Sequence, residues 1–250
     1  MRYDLTVLIP TFNERENISR MVAIVDAICK TNSINEEILV VDDSSLDGTI
    51  EVVETLMKEH PNLHLLVRKE SPGLSQSLYD GMLHAQADLV QCIDCDFSHP
   101  PEKIPLFYHY LHDMQYDMVI GSRYIKGGEV INWPFLRRVL SSGAALLGRL
   151  LIPHVKDSGS GFFAINRCIL TGANLSPRGF RMGFEILGKA NWTNVQEIPI
   201  VFKDREFGES KLKFRIVCDF LIQCGSILKY NIIERKSGNI IKAWKIFFHG

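Results

Sequence analysis

From residue 4 to residue 125 the chain alternates short apolar runs with longer stretches in which apolar positions recur at helical spacing. Thr6-Val7-Leu8-Ile9, Glu37 to Val41, Leu63 to Val67, Leu89 to Ile93 and Met118 to Gly121 predict five strands, the first stopped by Pro10. Helices are predicted from Glu14 to about Lys30, from Ser45 and Asp47 to about His60, from Gly73 to about Gln86, and from Pro101 to about Met114. Asn13 is placed to cap the first of these, with acids in its first turn complementing the helix dipole. Ser45 and Asp47 offer caps for the second. Nearly continuous apolar strands separated by helices predict a doubly wound α/β fold: a mostly parallel sheet with helices on both faces.

The second half is less regular. A helix is expected from about Phe135 to Leu151, then the Gly/Ser-rich Asp157-Ser158-Gly159-Ser160-Gly161, a strand Phe162 to Ile165 and a helix near Gly183 to Ala190. A strand from Gln196 to Phe202 leads through the loop Lys203 to Lys211 into a long helix from Phe214 to Ile233. No repeat, linker or low-complexity tract divides the chain, so residues 1–235 read as one domain, followed by a basic and apolar tail at 236–250. Val139 to Ile152 and Phe214 to Ile233 approach transmembrane hydropathy but carry Arg149, Arg215, Asp219 and Lys229, so neither is read as a membrane span. Both are amphipathic. Packing on the core and lying in a membrane interface are the two readings they allow.

The 250 residues suffice for one large domain, and a formal net charge of −1 argues against nucleic acid as the main partner. No nucleic-acid-reading motif appears. The six cysteines are scattered. Cys92 and Cys95 form a C-x-x-C whose sulfurs would fall on opposite faces of a strand, which suits buried thiols of a reducing cytosol rather than a metal site. The N-terminus runs into a strand with no signal-peptide pattern, so a cytoplasmic location is expected.

The chemistry concentrates where the predicted strands end. Asp94 and Asp96 follow the fourth strand and flank Cys95, which alternation turns the other way. Open α/β sheets keep their ligands at the carboxyl ends of the strands. Paired hard oxygen donors suit Mg²⁺ or Mn²⁺, usually completed by substrate phosphates. No G-x-G-x-x-G follows the first strand. In its place stands Pro10-Thr11-Phe12-Asn13-Glu14, with a ring able to stack on a base, and the second strand ends in Asp42-Asp43, which could accept from a ribose hydroxyl or a base N–H. The three segments fall on one edge of one sheet. That edge could hold a nucleotide with its pyrophosphate on a metal. The Ser-Gly segment at 158–161 is either a loop that approaches phosphate or an ordinary turn.

These segments, with Gly121-Ser122-Arg123-Tyr124 and Gly208-Glu209-Ser210-Lys211-Leu212, resemble the family-2 inverting glycosyltransferases, and among them the polyprenyl-phosphate (dolichyl-phosphate) mannosyltransferases. The resemblance spans roughly residues 4 to 230 in order. It implies a GT-A fold, a divalent metal, and transfer of a hexose from a nucleotide sugar, GDP-mannose first, to a polyprenyl phosphate at the cytosolic face of a membrane. It further implies nucleotide-sugar binding by Pro10, Phe12, Glu14, Val40, Asp42, Asp94, Cys95, Asp96, Ser98 and Arg123. Asp94, Asp96 and Ser98 would hold the metal. Arg123, Arg137, Arg205 and Lys211 would surround the diphosphate and the acceptor phosphate, with Asp94, Asp96, Arg123, Arg205 and Lys211 carrying catalysis. Phe12 stands where a Tyr is usual, Cys95 where an Ala is commoner, and Ser98 where some relatives carry an amide. A UDP-glucose or UDP-N-acetylhexosamine donor, a glycan-hydroxyl acceptor with Glu185 as base, and a non-catalytic nucleotide-binding module are the alternatives. A separate membrane-anchoring subunit is left open.

Overall fold

Every residue of β1 (Leu5–Thr11) and β2 (Glu36–Asp42) is buried, because each strand is covered on both faces. The computed structural model describes residues 3–69, 72–131, 133, 135–203 and 214–233. Along β1 and β2, Val7, Ile9, Ile38 and Val40 enter one core with Ile18, Met21, Val22 and Val25 of α1 (Arg15–Thr31). Leu8, Leu39 and Val41 point the other way. There they meet Leu78 and Met82 of α3 (Leu74–His84) and Met182, Phe184 and Leu187 of α6 (Met182–Lys189). Period-two alternation thus feeds two separate cores from one strand.

The remaining strands are β3 (Leu63–Val67), β4 (Leu89–Cys92), β5 (Met118–Ser122), β6 (Glu129–Ile131), β7 (Phe163–Asn166), β8 (Val195–Pro199) and β9 (Val201–Lys203). The remaining helices are α2 (Thr49–Leu56), α4 (Ile104–His112), α5 (Phe135–Leu151) and α7 (Phe214–Ile233). Seven strands form the main sheet in the order β3-β2-β1-β4-β7-β5-β8. All neighbours pair in parallel except β7, which runs antiparallel between β4 and β5. The expected doubly wound, mostly parallel sheet is therefore present.

Four local expectations are corrected. Pro10 does not stop the first strand: it pairs with Val41 inside β1, and Thr11 pairs with Asp42. The Leu8 carbonyl accepts the Ile93 N–H on the β4 side, so the Pro10 nitrogen faces that same side, past the last β1–β4 pair at Leu8 and Cys92. A residue without an N–H is tolerated there. Asn13 is not the α1 cap, since that position falls on Glu14. Helix α2 ends at Leu56 instead of near His60, in tightening turns ahead of Pro61, which cannot continue a helix. The single strand expected from Gln196 to Phe202 is two: at Ile200 the chain leaves the main sheet, donating to the Ser122 carbonyl and accepting from Glu129. Strand β9 then pairs with β6 in a small second sheet.

At the opposite end of the main sheet from the strand-end acids, Glu36 is almost fully buried and accepts from the Asn62 amide at 2.7 Å. Burial, and then the charge of Asp26, pushes its carboxyl up to about 7. Its ordinary value is 4.5, so the neutral carboxyl favours the fold below that pH, and this contribution is lost as pH rises through about 7. Glu36→Gln should therefore be more stable than the parent at pH 8, by up to about 3 kcal/mol, with the gap closing near pH 5. Urea unfolding at the two pH values measures it; an equal gap at both would show that Glu36 is not held neutral.

Candidate active site

Three loops meet at the carboxyl edge of the sheet, and hydrogen bonds lock the first two together. The Asn13 amide donates to the Ser45 hydroxyl at 2.8 Å, and the Asn13 side-chain oxygen accepts the Leu46 N–H at 3.1 Å. Asn13 takes a left-handed conformation (φ 59°) to make both bonds, a geometry that asparagine tolerates. Asp47 accepts from the Arg15 and Thr49 amides, the first residues of α1 and α2. Burial raises its carboxyl, but the Thr49 hydroxyl and those two amides outweigh that and hold it below the usual carboxylate range.

Asp42 is fully buried, and its two oxygens take the Thr11 hydroxyl and both the amide and hydroxyl of Ser45, each at 2.7 Å. It ties the end of β1 to the turn after β2. Asp43 binds Arg68 and accepts the Gly73 amide at 2.8 Å. Arg68, which the sequence reading passed over, also reaches Asp80 at 2.7 Å and the Ser77 hydroxyl at 3.0 Å. It anchors α3 beneath the second loop. Pro10 and Val40 are buried in their strands, whereas Phe12 stands 51% exposed beside Glu14, where a base could stack on it.

The third loop leaves β4 at Ile93. Cys92 packs in one core and Cys95 in the other, so the two sulfurs do lie on opposite faces of the sheet. Burial, then the charges of Glu14, Asp96 and Asp94, pushes the Cys95 thiol well up, which keeps it neutral. The Asp96 carboxylate accepts the Ser98 amide at 3.1 Å across a left-handed Phe97 (φ 58°), whose ring lies 4.5 Å from the Arg20 guanidinium of α1. The Asp94 carboxylate lies 3.6 Å from His99 Nδ1. The His99 ring is buried, stacked on Phe162 at 5.1 Å and edge-on to Phe202 at 5.3 Å. His99 was visible in the motif, but its stacking partners come from distant segments and left no signal in spacing.

The Ser98 hydroxyl is buried with no hydrogen-bond partner among the described residues, two positions from Asp96. With the acid pair it makes an all-oxygen donor set, which fits Mg²⁺ or Mn²⁺. Among the described residues no group of three or more His, Cys, Asp and Glu is placed to hold a metal. Substrate oxygens and water would have to complete the coordination, as is usual for Mg²⁺.

The cationic side of the site begins at Arg123, at the end of β5. Its guanidinium makes a bidentate pair with buried Asp157 (2.8 and 2.7 Å), whose carboxylate also accepts the Arg123 amide at 2.9 Å. Burial alone would lower the Arg123 pKa, but Asp157 more than offsets it and keeps the group charged. Glu197 of β8 accepts the Lys156 and Asp157 amides at 2.8 and 2.9 Å and fixes the start of the Ser-Gly segment. Trp133 and Phe202 flank the guanidinium, each 5.5 Å away. From Asp157 the segment runs to Gly161, where a Cβ would lie 3.7 Å from an Asp94 carboxylate oxygen and 3.5 Å from His99. The segment thus joins Arg123 to the acid pair. Arg137 falls in the first turn of α5, whose side chains are not described, and Arg205 and Lys211 lie outside the described residues, as does the tail at 236–250.

Glu185 lies apart from these groups in its bonding. It is 1% exposed, pairs with buried Lys189 at 2.6 Å, and accepts from the Ser176 amide and the Gln223 side chain. Lys189 also reaches Ser226, so the pair is a clamp between α6 and α7. A carboxylate buried and engaged in this way is closed off from an acceptor hydroxyl.

A mostly parallel sheet with an acid pair at its carboxyl edge meets the expectation of a glycosyltransferase. The chain belongs to glycosyl transferase family 2, whose model matches residues 6–172. It is 38% identical over 229 residues to a dolichol-phosphate mannosyltransferase of Pyrococcus furiosus, covering 90% of this chain and 64% of that protein. It is 30% identical over 258 residues to a dolichol-phosphate mannosyltransferase of Saccharomyces cerevisiae, covering 99% of this chain and 96% of that protein. Among solved structures, glucosyl-3-phosphoglycerate synthase of Mycobacterium tuberculosis shares the fold with a TM-score of 0.63 at 18% identity, over 89% of this chain and 81% of that one.

If Glu185 is a structural clamp, Glu185→Gln alone should destabilise the protein by about 3 kcal/mol or more, because it strands a buried lysine. Glu185→Gln with Lys189→Met should recover most of that loss and retain glycosyl transfer. Chemical denaturation and an initial-rate assay on both variants measure this. A stable Glu185→Gln single variant with no transfer would mark Glu185 as a chemical participant instead.

Proposed function

We propose that the protein transfers mannose from GDP-mannose to a polyprenyl phosphate of the dolichyl type, with inversion at the sugar. An acceptor phosphate oxygen forms the new bond to the anomeric carbon as the bond to the nucleoside diphosphate breaks. The observation that carries the acceptor class is the locked state of Glu185. A sugar hydroxyl would need a base to remove its proton, and the carboxylate that the sequence offers for that task is spent on Lys189. A phosphate monoester is already anionic at neutral pH and needs none. The curated relatives' names point to the same acceptor and sugar.

Phe12, Glu14 and the first two loops would hold the nucleotide, with Pro10, Val40, Asp42 and Cys95 shaping the pocket from within. Asp94, Asp96 and Ser98 would hold Mg²⁺ or Mn²⁺; the synthase that shares the fold was crystallised with Mn²⁺ and UDP. A divalent ion bound there neutralises charge building on the departing diphosphate. Arg123, Arg137, Arg205 and Lys211 would keep two anionic substrates close despite their repulsion. The His99 ring, packed between Phe162 and Phe202, holds the Asp94 side of the loop in place.

The site would work at a membrane surface, on the cytosolic face and with room for an anchoring subunit. Among the described residues no helix is long and apolar enough to cross a bilayer. Yet α7 has two apolar sides. Phe220 and Ile227 are buried in the core, while Leu221, Ile222, Leu228 and Ile232 are exposed. Helix α5 packs beside it and exposes Leu146, Leu147 and Leu150. Core packing and an exposed apolar face thus occur in one helix, which suits a peripheral enzyme whose acceptor has a prenyl tail.

The test is a donor panel of GDP-mannose, UDP-glucose and UDP-GlcNAc with a short polyprenyl phosphate and Mg²⁺ or Mn²⁺. GDP-mannose should be used best. Asp96→Ala and EDTA should each cut the rate on the order of 10²-fold or more, with EDTA reversed by added metal. Preference for a UDP-sugar would replace the donor, and full turnover in EDTA would end the metal-dependent reading.

A further inference from the structure

We propose that Arg181 is a phosphate-binding residue on the acceptor side of the site, holding the anionic head of a lipid monophosphate whose tail lies over Phe180 and the exposed face of α7. This deepens the function proposed above and rests on it. Arg181 immediately precedes α6, and its guanidinium lies on the Phe220 ring of α7, 4.5 Å from the centroid. On its other side it lies against the backbone of Gly159, where a side chain would collide with it. Gly159 belongs to the segment that carries Asp157 at one end and meets Asp94 at the other. Arg181 therefore lies against the segment that joins the Arg123–Asp157 pair to the acid pair.

The charge balance there is incomplete. Asp157 gives both carboxylate oxygens to Arg123. Among the described residues no carboxylate lies within ion-pair distance of the Arg181 guanidinium, whose ring partner is neutral. Burial, and then the nearby Arg123 charge, lowers its pKa, with Asp157 only partly compensating. Two guanidinium groups thus share one carboxylate in a half-buried setting. A phosphate monoester, with about −1.5 to −2 charge and three acceptor oxygens, is the kind of group that settles such an excess. The surroundings specify the rest of the ligand: Phe180 is 48% exposed next to Arg181, and Leu221 and Ile222 are exposed beside Phe220. An anion with a long apolar tail meets both conditions, whereas the polar nucleoside of a leaving diphosphate meets only the first.

A purely structural role, with the cation on Phe220 docking α7, predicts different behaviour, and equilibrium binding separates the two. The full chain is titrated calorimetrically with farnesyl phosphate, farnesol and GDP, for the parent, Arg181→Gln, Arg181→Lys and Gly159→Ala. Gly159→Ala displaces only the tip of a flexible side chain, so it moves the guanidinium in a folded protein even if Arg181→Gln folds poorly. Farnesyl phosphate affinity should fall about 10-fold or more in Arg181→Gln and Gly159→Ala and recover in part in Arg181→Lys, while farnesol and GDP binding stay unchanged. Unchanged farnesyl phosphate binding in the variants, absent binding in the parent, or an equal loss for farnesol would overturn the proposal. A loss confined to GDP would assign the residue to the leaving group and overturn it as well. Arg181-dependent phosphate binding without mannosyl transfer by the parent would refute the proposed reaction and leave this site standing.

Discussion

The buried pair of Arg123 and Asp157 is the interaction on which the site depends. Burying a guanidinium costs several kcal/mol unless a well-aligned carboxylate and further hydrogen bonds compensate. Here the pair is bidentate, the Arg123 amide adds a third bond, and Glu197 secures the Asp157 backbone. The pair thereby fastens the end of β5 and the register of β8 to the segment that enters β7. That segment passes Arg181 at Gly159 and Asp94 at Gly161. One buried ion pair thus fixes the segment that runs between Arg123 and the strand-end acids.

The opposite half of the cleft is built by hydrogen bonds among loops. Asp42 joins Thr11 to Ser45, and Asp47 joins the first residues of α1 and α2. These acids spend their oxygens on protein donors, so they brace the first two loops from behind. Phe12 is half exposed on the first loop. Asp42, fully buried, organises these loops from within, whereas Asp94 stands part-exposed at the strand edge.

The sequence made the sheet legible because both its faces are covered, which turns strands into short apolar runs that stand out from helical spacing. It made the acid pair legible because a strand end fixes which neighbours share a direction. Long-range geometry was not legible. The Arg123–Asp157 pair joins residues 34 apart, and the Arg181–Phe220 contact joins two helices. Nothing in local composition marks such partners. The strand expected from Phe162 to Ile165 is β7, but its antiparallel direction and the short β6–β9 sheet escaped for a related reason: pairing partners, not a segment's own pattern, decide them. Pro10 misled because the rule against proline in strands concerns the missing donor, and here that position faces the side where the ladder has already ended.

The central claim is that Asp94, Asp96 and Ser98 hold a divalent ion against the diphosphate of a nucleotide at the carboxyl edge of the sheet. Anomalous diffraction from crystals of the protein soaked with Mn²⁺ and GDP tests it directly. A manganese peak is expected beside the Asp94–Asp96 loop and the GDP phosphates, with the guanine against Phe12. A nucleotide bound elsewhere, or bound at this edge with no metal beside the acid pair, would contradict it.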